Sequence, residues 1–173
     1  MTWFLDFDRT IFDTDSFIRY VHNSDSGGHS LGEGAIGKIW NERVKSGELK
    51  FFPGELTSFL YQDALKFLKR HLGECVIITY NNFALQKAKI NSSFFEVVMP
   101  QPDVLYTLQR RKAHFLKGVL ERFMVPYRFV DDSVEELALI AESCAGVGLY
   151  EMRRDGSMGM ATYHTLKSFD ELP

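Results

Sequence analysis

The 173-residue chain predicts an α/β fold with a mostly parallel sheet. Short apolar runs bounded by turn or charged residues recur along it, at the length of buried parallel strands. Amphipathic stretches with helical spacing lie between them. Acidic and hydroxyl residues stand just beyond several of the apolar runs, where ligands of parallel α/β sheets gather.

Trp3-Phe4-Leu5 is the first strand run, and it leads directly into Asp6-Phe7-Asp8-Arg9-Thr10. About fifty residues follow without a strand run, which breaks the alternation and marks an insertion. It holds a polar, glycine-rich stretch from Asn23 to Ser30, expected as a mobile loop, and a helical pattern at Ile36, Ile39, Trp40 and Val44. The expected division is a core of residues 1–12 and 60–173 and a small helical cap of residues 13–59. Asp63 to Arg70 reads as a helix through Leu65 and Leu68, and Val76-Ile77-Ile78-Thr79 as the next strand, with a helix from Phe83. Val97-Val98-Met99 is a further strand run, and Ala113 to Met124 a helix with Leu116, Leu120 and Phe123 on one stripe. Arg128-Phe129-Val130, a helix from Glu135 to Ser143 and a strand over Gly146 to Tyr150 complete the alternation.

Hydrophobic residues make up 45% of the chain and charged residues 25%, the balance of an ordinary globular protein long enough to bury a core. No long apolar run or basic-start signal segment appears, so a cytoplasmic protein without a membrane partner is expected. The net charge of −3 gives no general attraction for nucleic acid, although Arg110, Arg111 and Lys112 form a local patch that can meet phosphate. Cys75 and Cys144 lack the spacing of a zinc site or redox pair and read as free buried thiols. The five histidines, His22, His29, His71, His114 and His164, form no metal-binding spacing.

Strand periodicity points Asp6 and Asp8 to one side. Two carboxylates so close stay ionised cheaply only beside a cation, and hard oxygen ligands suit magnesium. An isolated pair of this kind would equally suit a solvated acidic turn. Thr79 ends an apolar strand before a helix, where a hydroxyl and backbone N–H groups can hold phosphate or simply cap the helix. Asp131-Asp132-Ser133 ends a third strand, and a parallel sheet brings adjacent strand ends within coordinating distance.

Phe4-Leu5-Asp6-Phe7-Asp8-Arg9-Thr10 resembles the signature of the haloacid dehalogenase superfamily, a hydrophobic strand followed by Asp-x-Asp-x-Thr. The later motifs follow in that family's order: Thr79, then Lys112 ahead of an apolar helix stripe, then the acidic pair Asp131-Asp132. The tail from Thr165 to Leu172 resembles the closing helix of many members. The resemblance implies a three-layer Rossmann-like core with a small helical cap after the first strand. It implies a magnesium-dependent phosphomonoester hydrolase acting on a small phosphorylated metabolite through an aspartyl phosphate. Asp6 would be the nucleophile and Asp8 the general acid and then base. Thr79, Tyr80, Asn81 and Lys112 would hold the phosphoryl oxygens, with Lys117 the alternative lysine. Mg2+ would be held by Asp6, the Asp8 main-chain carbonyl, Asp132 and Asp131, the last directly or through water.

An acid at Asp8 favours phosphate esters over the dehalogenases, which lack one there. Arg9 departs from the pattern, standing where many members carry glycine, and Asp131 does likewise. Asp13 and Asp15 read as helix-start or solvent residues. The rival classes are a catalytically silent module binding a phosphorylated ligand or protein, and a phosphotransferase or nucleic-acid-end phosphatase. A response-regulator receiver is disfavoured, because its acidic pair and its phosphorylated aspartate lie on different strands.

Overall fold

A computed structural model describes residues 1–24, 33–80, 82–107 and 111–173. Most of the glycine-rich stretch, Asn81 and Arg110 lie outside the described residues. Within them, six strands form one parallel sheet: β1 (Thr2–Leu5), β2 (Cys75–Tyr80), β3 (Asp103–Thr107), β4 (Tyr127–Asp131), β5 (Val147–Met152) and β6 (His164–Leu166). Their order is β3-β2-β1-β4-β5-β6, so β1 sits in the middle, paired with β2 through Phe4↔Val76 and with β4 through Phe4↔Phe129. The chain leaves β1 toward one edge and returns on the other side of it. The carboxyl ends of β1 and β4 therefore form the kind of crevice where α/β sheets bind ligands.

The alternation of side chains divides the core into two layers. Trp3, Leu5, Ile77 and Val130 face one apolar cluster, whereas Phe4, Val76, Ile78 and Phe129 face the other. Both faces are covered, which is why these strands read as continuous apolar runs rather than as alternating ones. α5 (Lys112–Lys117) and α6 (Val134–Ser143) cover the second face through Ala113, Leu116, Leu137 and Ile140. The first face carries α3 (Gln62–Arg70), α4 (Phe83–Phe94) and the two helices of the insertion, α1 (Thr14–Ser24) and α2 (Glu33–Ser46). Phe17 and Val21 of α1 and Ile36 and Trp40 of α2 join the same cluster as Phe7, Phe12 and Leu85, so these helices share the core's packing instead of forming a separate one.

Three expected elements differ. Val97-Val98-Met99 is not a strand; β3 lies a few residues later. Pro100 and Pro102 follow that run, and proline cannot donate to a ladder, so pairing starts only at Asp103, while Val98 plugs the core from a turn. The helix expected from Ala113 to Met124 stops at Lys117, with Gly118 as its C-cap and a single 3-10 turn over Leu120–Arg122. The closing helix is instead β6 followed by a 3-10 turn, Phe169–Glu171, fixed by a capping box between Ser168 and Glu171. Leu166, Phe169 and Leu172, spaced by three, are all buried, and a strand leading into a 3-10 turn satisfies that spacing as well as a helix does.

Candidate active site

Asp6 follows the last residue of β1, and its N–H donates to the Val130 carbonyl of β4 at 2.9 Å, which pins it beside the β4 terminus. Asp131 is the last residue of β4 and is fully buried. Between them lies the ammonium of Lys112, at the first position of α5, bonded to Asp6 and, at 2.7 Å, to Asp131 Oδ2. The other Asp131 oxygen accepts the Ser133 N–H at 2.9 Å. Glu136 of α6 accepts the Lys112 backbone N–H at 2.9 Å and so fixes where α5 begins. Lys117 instead lines a separate surface hollow with Arg111 and His114.

Asp6, Asp131 and Asp132 can bring one carboxylate oxygen each within 4.8 Å of one another. Burial, opposed by Lys112 but reinforced by Asp131 and Asp132, holds the Asp6 carboxyl well above its ordinary range. Burial and Asp131 likewise push Asp132 up to about 6. Burial alone would lower the Lys112 ammonium, but Asp131 and Asp6 outweigh it and the group is raised. One lysine thus leaves this group of acids short of positive charge, and the donors are hard oxygens, so the residues fit a divalent cation of the magnesium type.

Thr79, buried near the end of β2, and Tyr80 line the same 380 Å³ hollow as Asp6, Asp8, Lys112, Asp131 and Asp132. Two amides in the first turn of α4 are engaged by a neighbouring helix. Asn41 of α2 accepts from Ala84 N–H at 3.0 Å and Leu85 N–H at 3.2 Å through one side-chain oxygen.

Asp8 borders the hollow but points its carboxylate into a second set of partners. Lys89 of α4 pairs with it, Gln86 Nε2 donates at 2.5 Å, and Thr14 Oγ1 donates at 2.6 Å. Burial pushes the Asp8 carboxyl up, but Lys89, Thr14 and Gln86 outweigh burial and hold it below its ordinary value. Lys89 is itself buried, with its ammonium 4.7 Å from the Phe12 ring centre and 5.2–5.3 Å from those of Phe17 and Phe7. Arg9 adopts a left-handed backbone, φ 59°, and its guanidinium pairs with Asp15 at 3.0 Å. Asp13 caps α1 by accepting from Ser16 N–H at 2.9 Å.

Lys89, Gln86, Thr14 and Glu136 gave no sequence signal. Thr14 and Glu136 stand four residues after Thr10 and Asp132 but outside the motif patterns, and only the fold brings Lys89 and Gln86 of α4 to the strand ends.

No family model matches the chain, and no curated protein matches it. Solved structures do. The magnesium-bound HAD-hydrolase YfnB of Bacillus subtilis matches at 14% identity and a TM-score of 0.64, covering 99% of this chain and 96% of the other. A haloacid dehalogenase-like hydrolase of Burkholderia xenovorans matches at 19% and 0.65, covering 99% and 94%. L-2-haloacid dehalogenase of Xanthobacter autotrophicus, with chloropropionic acid covalently bound, matches at 12% and 0.55, covering 99% and 96%. From β1 to the closing turn, the chain has the fold of the haloacid dehalogenase-like hydrolases.

Proposed function

We propose that the chain is a magnesium-dependent phosphomonoester hydrolase of the haloacid dehalogenase type, acting on a small phosphorylated metabolite. The observation that carries this reading is the placement of Asp6 at the sheet's switch point, bonded to Lys112 and flanked by Asp131 and Asp132. A carboxylate nucleophile needs positive charge around the phosphoryl group it attacks, and both a lysine and a cation-ready acid cluster are present. Asp6, Asp131 and Asp132 would hold Mg2+, which when bound offsets the negative charge of the phosphoryl oxygens. The likeness to magnesium-bound YfnB supports that choice.

In the first step an Asp6 oxygen forms a bond to phosphorus as the P–O bond to the leaving oxygen breaks, its electron pair departing with that oxygen. Lys112 and Thr79 steady the phosphoryl oxygens. In the second step water attacks the aspartyl phosphate, Asp6 leaves with the electron pair of its bond, and inorganic phosphate is formed. Asp8 is held as the carboxylate, the form that takes the proton from that water. To protonate the leaving oxygen in the first step it must first gain a proton against the Lys89 pairing. Helices α1 and α2 serve as a short cap beside this hollow, and small phosphate esters rather than membranes or nucleic acid are the proposed partners.

The test is phosphate release from p-nitrophenyl phosphate with and without Mg2+, beside Asp6→Asn. The expected result is activity that requires Mg2+ and falls at least about 1,000-fold in the variant, the scale seen when a nucleophile is removed. Chloride release from 2-chloropropionate without phosphatase activity would move the reading to the dehalogenases, whose fold the chain shares. Inertness toward both substrates and a panel of phosphorylated metabolites would favour a silent binding module.

A further inference from the structure

A second hollow, of about 260 Å³, lies between α1, α2 and α4 and joins the first through Asp8, Arg9 and Tyr80, which line both. Its other walls are mostly apolar: Phe17 and Ile18 from α1, Ile36 and Trp40 from α2, and Leu85 from α4. Three charged groups border it, and each has an opposite charge in contact. Lys89 is paired with Asp8, and Arg9 with Asp15. Lys89 is additionally covered by the rings of Phe7, Phe12 and Phe17, which leaves its charge little reach toward a ligand. A charged occupant would have to compete with Asp8 for Lys89 or with Asp15 for Arg9, whereas an uncharged apolar one meets the other walls without that competition.

We propose that this hollow receives the leaving group, and that it selects the phosphate ester of an uncharged, flat, apolar alcohol of one or two aromatic rings. The proposal rests on the phosphatase reading and narrows its substrate class. A cavity of 150 Å³ with aliphatic and aromatic walls is enough for benzene, so 260 Å³ takes a one- or two-ring body. Trp40 and Phe17, whose ring centres lie 5.7 Å apart, supply edge and face contacts for such a ring. The junction at Asp8 sets the ester oxygen at the border of the two hollows, with the phosphoryl group on the Asp6 side. Gly37 forms part of the wall, and a Cβ there would lie 2.7 Å from the Asn82 side-chain amide, so any larger residue intrudes on the space.

The experiment compares kcat/KM for 2-naphthyl phosphate and glucose 6-phosphate in wild type and Gly37→Leu, and titrates both proteins with 2-naphthol by calorimetry. Leucine at this helical position improves helix propensity, and its one close contact is the end of a flexible side chain. If thermal melts show that the variant is unfolded, Leu85→Phe narrows the opposite wall instead. The expected wild-type preference for the naphthyl ester is about 100-fold, from roughly 25 cal/mol per Å² over the area of a two-ring body. Gly37→Leu should cut that preference at least tenfold and abolish 2-naphthol binding. If both esters are hydrolysed with a ratio near one, the hollow does not select the leaving group and the phosphatase reading stands. If neither is hydrolysed but 2-naphthol binds wild type and not the variant, the aryl site stands and the phosphatase reading fails. If there is neither turnover nor binding, both are overturned.

Discussion

The Lys89–Asp8 pair ties a motif acid to a lysine that no motif contains. Lys89 is buried under three aromatic rings, and Asp8 has a side chain only 29% exposed. Breaking such a pair strands the remaining charge. Lys89→Met should therefore cost about 3 kcal/mol, the lower end for a buried pair because water still reaches Asp8. The double variant Lys89→Met/Asp8→Asn should recover part of this, since no charge is left unpaired. Urea unfolding of wild type, both single variants and the double variant measures it; equal losses in Lys89→Met and the double variant would show that Asp8 finds water instead. At this scale the sequence announces the acids and not their partners. Asp6 and Asp8 share one strand's end and are visible as spacing, and Asp131-Asp132 repeats the pattern. Lys89 is 81 positions from Asp8, on a helix whose own pattern gives no hint of the contact.

At the scale of elements, α2 caps α4 through the side chain of Asn41, beside the apolar packing of Ile36 and Trp40. The N-cap residue of α4, Asn82, has a left-handed backbone and makes no side-chain capping bond. The buried Asn41 of α2 does that work from outside, accepting the Ala84 and Leu85 N–H groups. Asn41→Ala leaves two donors without a partner and should cost about 1–2 kcal/mol. Asn41→Asp keeps the acceptor and adds a negative charge at a helix N-terminus, so it should hold stability near wild type. Thermal unfolding of the two variants checks the order; a larger loss in the aspartate variant would count against the capping role. The insertion's helical pattern was legible in Ile36 and Trp40, and its use as an external cap was not, because capping across helices has no fixed sequence spacing. β3 was misplaced for a related reason. An edge strand needs less apolar character than a buried turn, so Val97 to Met99 outshone Asp103 to Thr107.

Over the whole molecule, the parallel sheet was legible because strands covered on both faces are apolar throughout, as Trp3 to Leu5 and Val76 to Ile78 are. What ties distant parts together was not. Arg154, after β5, donates to the Thr10 carbonyl at 2.8 Å and to Asp63 of α3 at 2.5 Å, and stacks on Tyr61 at 4.2 Å. Asp63 also accepts the Phe169 N–H at 2.7 Å and the Ser168 hydroxyl at 3.0 Å, so one carboxylate joins α3, the loop after β5 and the closing turn. Burial pushes the Asp63 carboxyl up, but the Phe169 N–H and Arg154 outweigh it, and the group sits below its ordinary value. A carboxyl lowered in the folded state binds fewer protons there than in the unfolded chain, so its contribution to stability is complete above the unfolded value, about 3.9. That contribution is lost as pH falls through the lower folded value. Asp63→Asn keeps acceptor geometry but removes this proton linkage. Its urea midpoint should lie below wild type at pH 7, and the gap should narrow as pH drops below about 4, with Asp8 among the lowered carboxyls that keep acid sensitivity in both proteins. A gap that stays constant from pH 7 to pH 3 would show that the tether works through hydrogen bonds alone, without its charge.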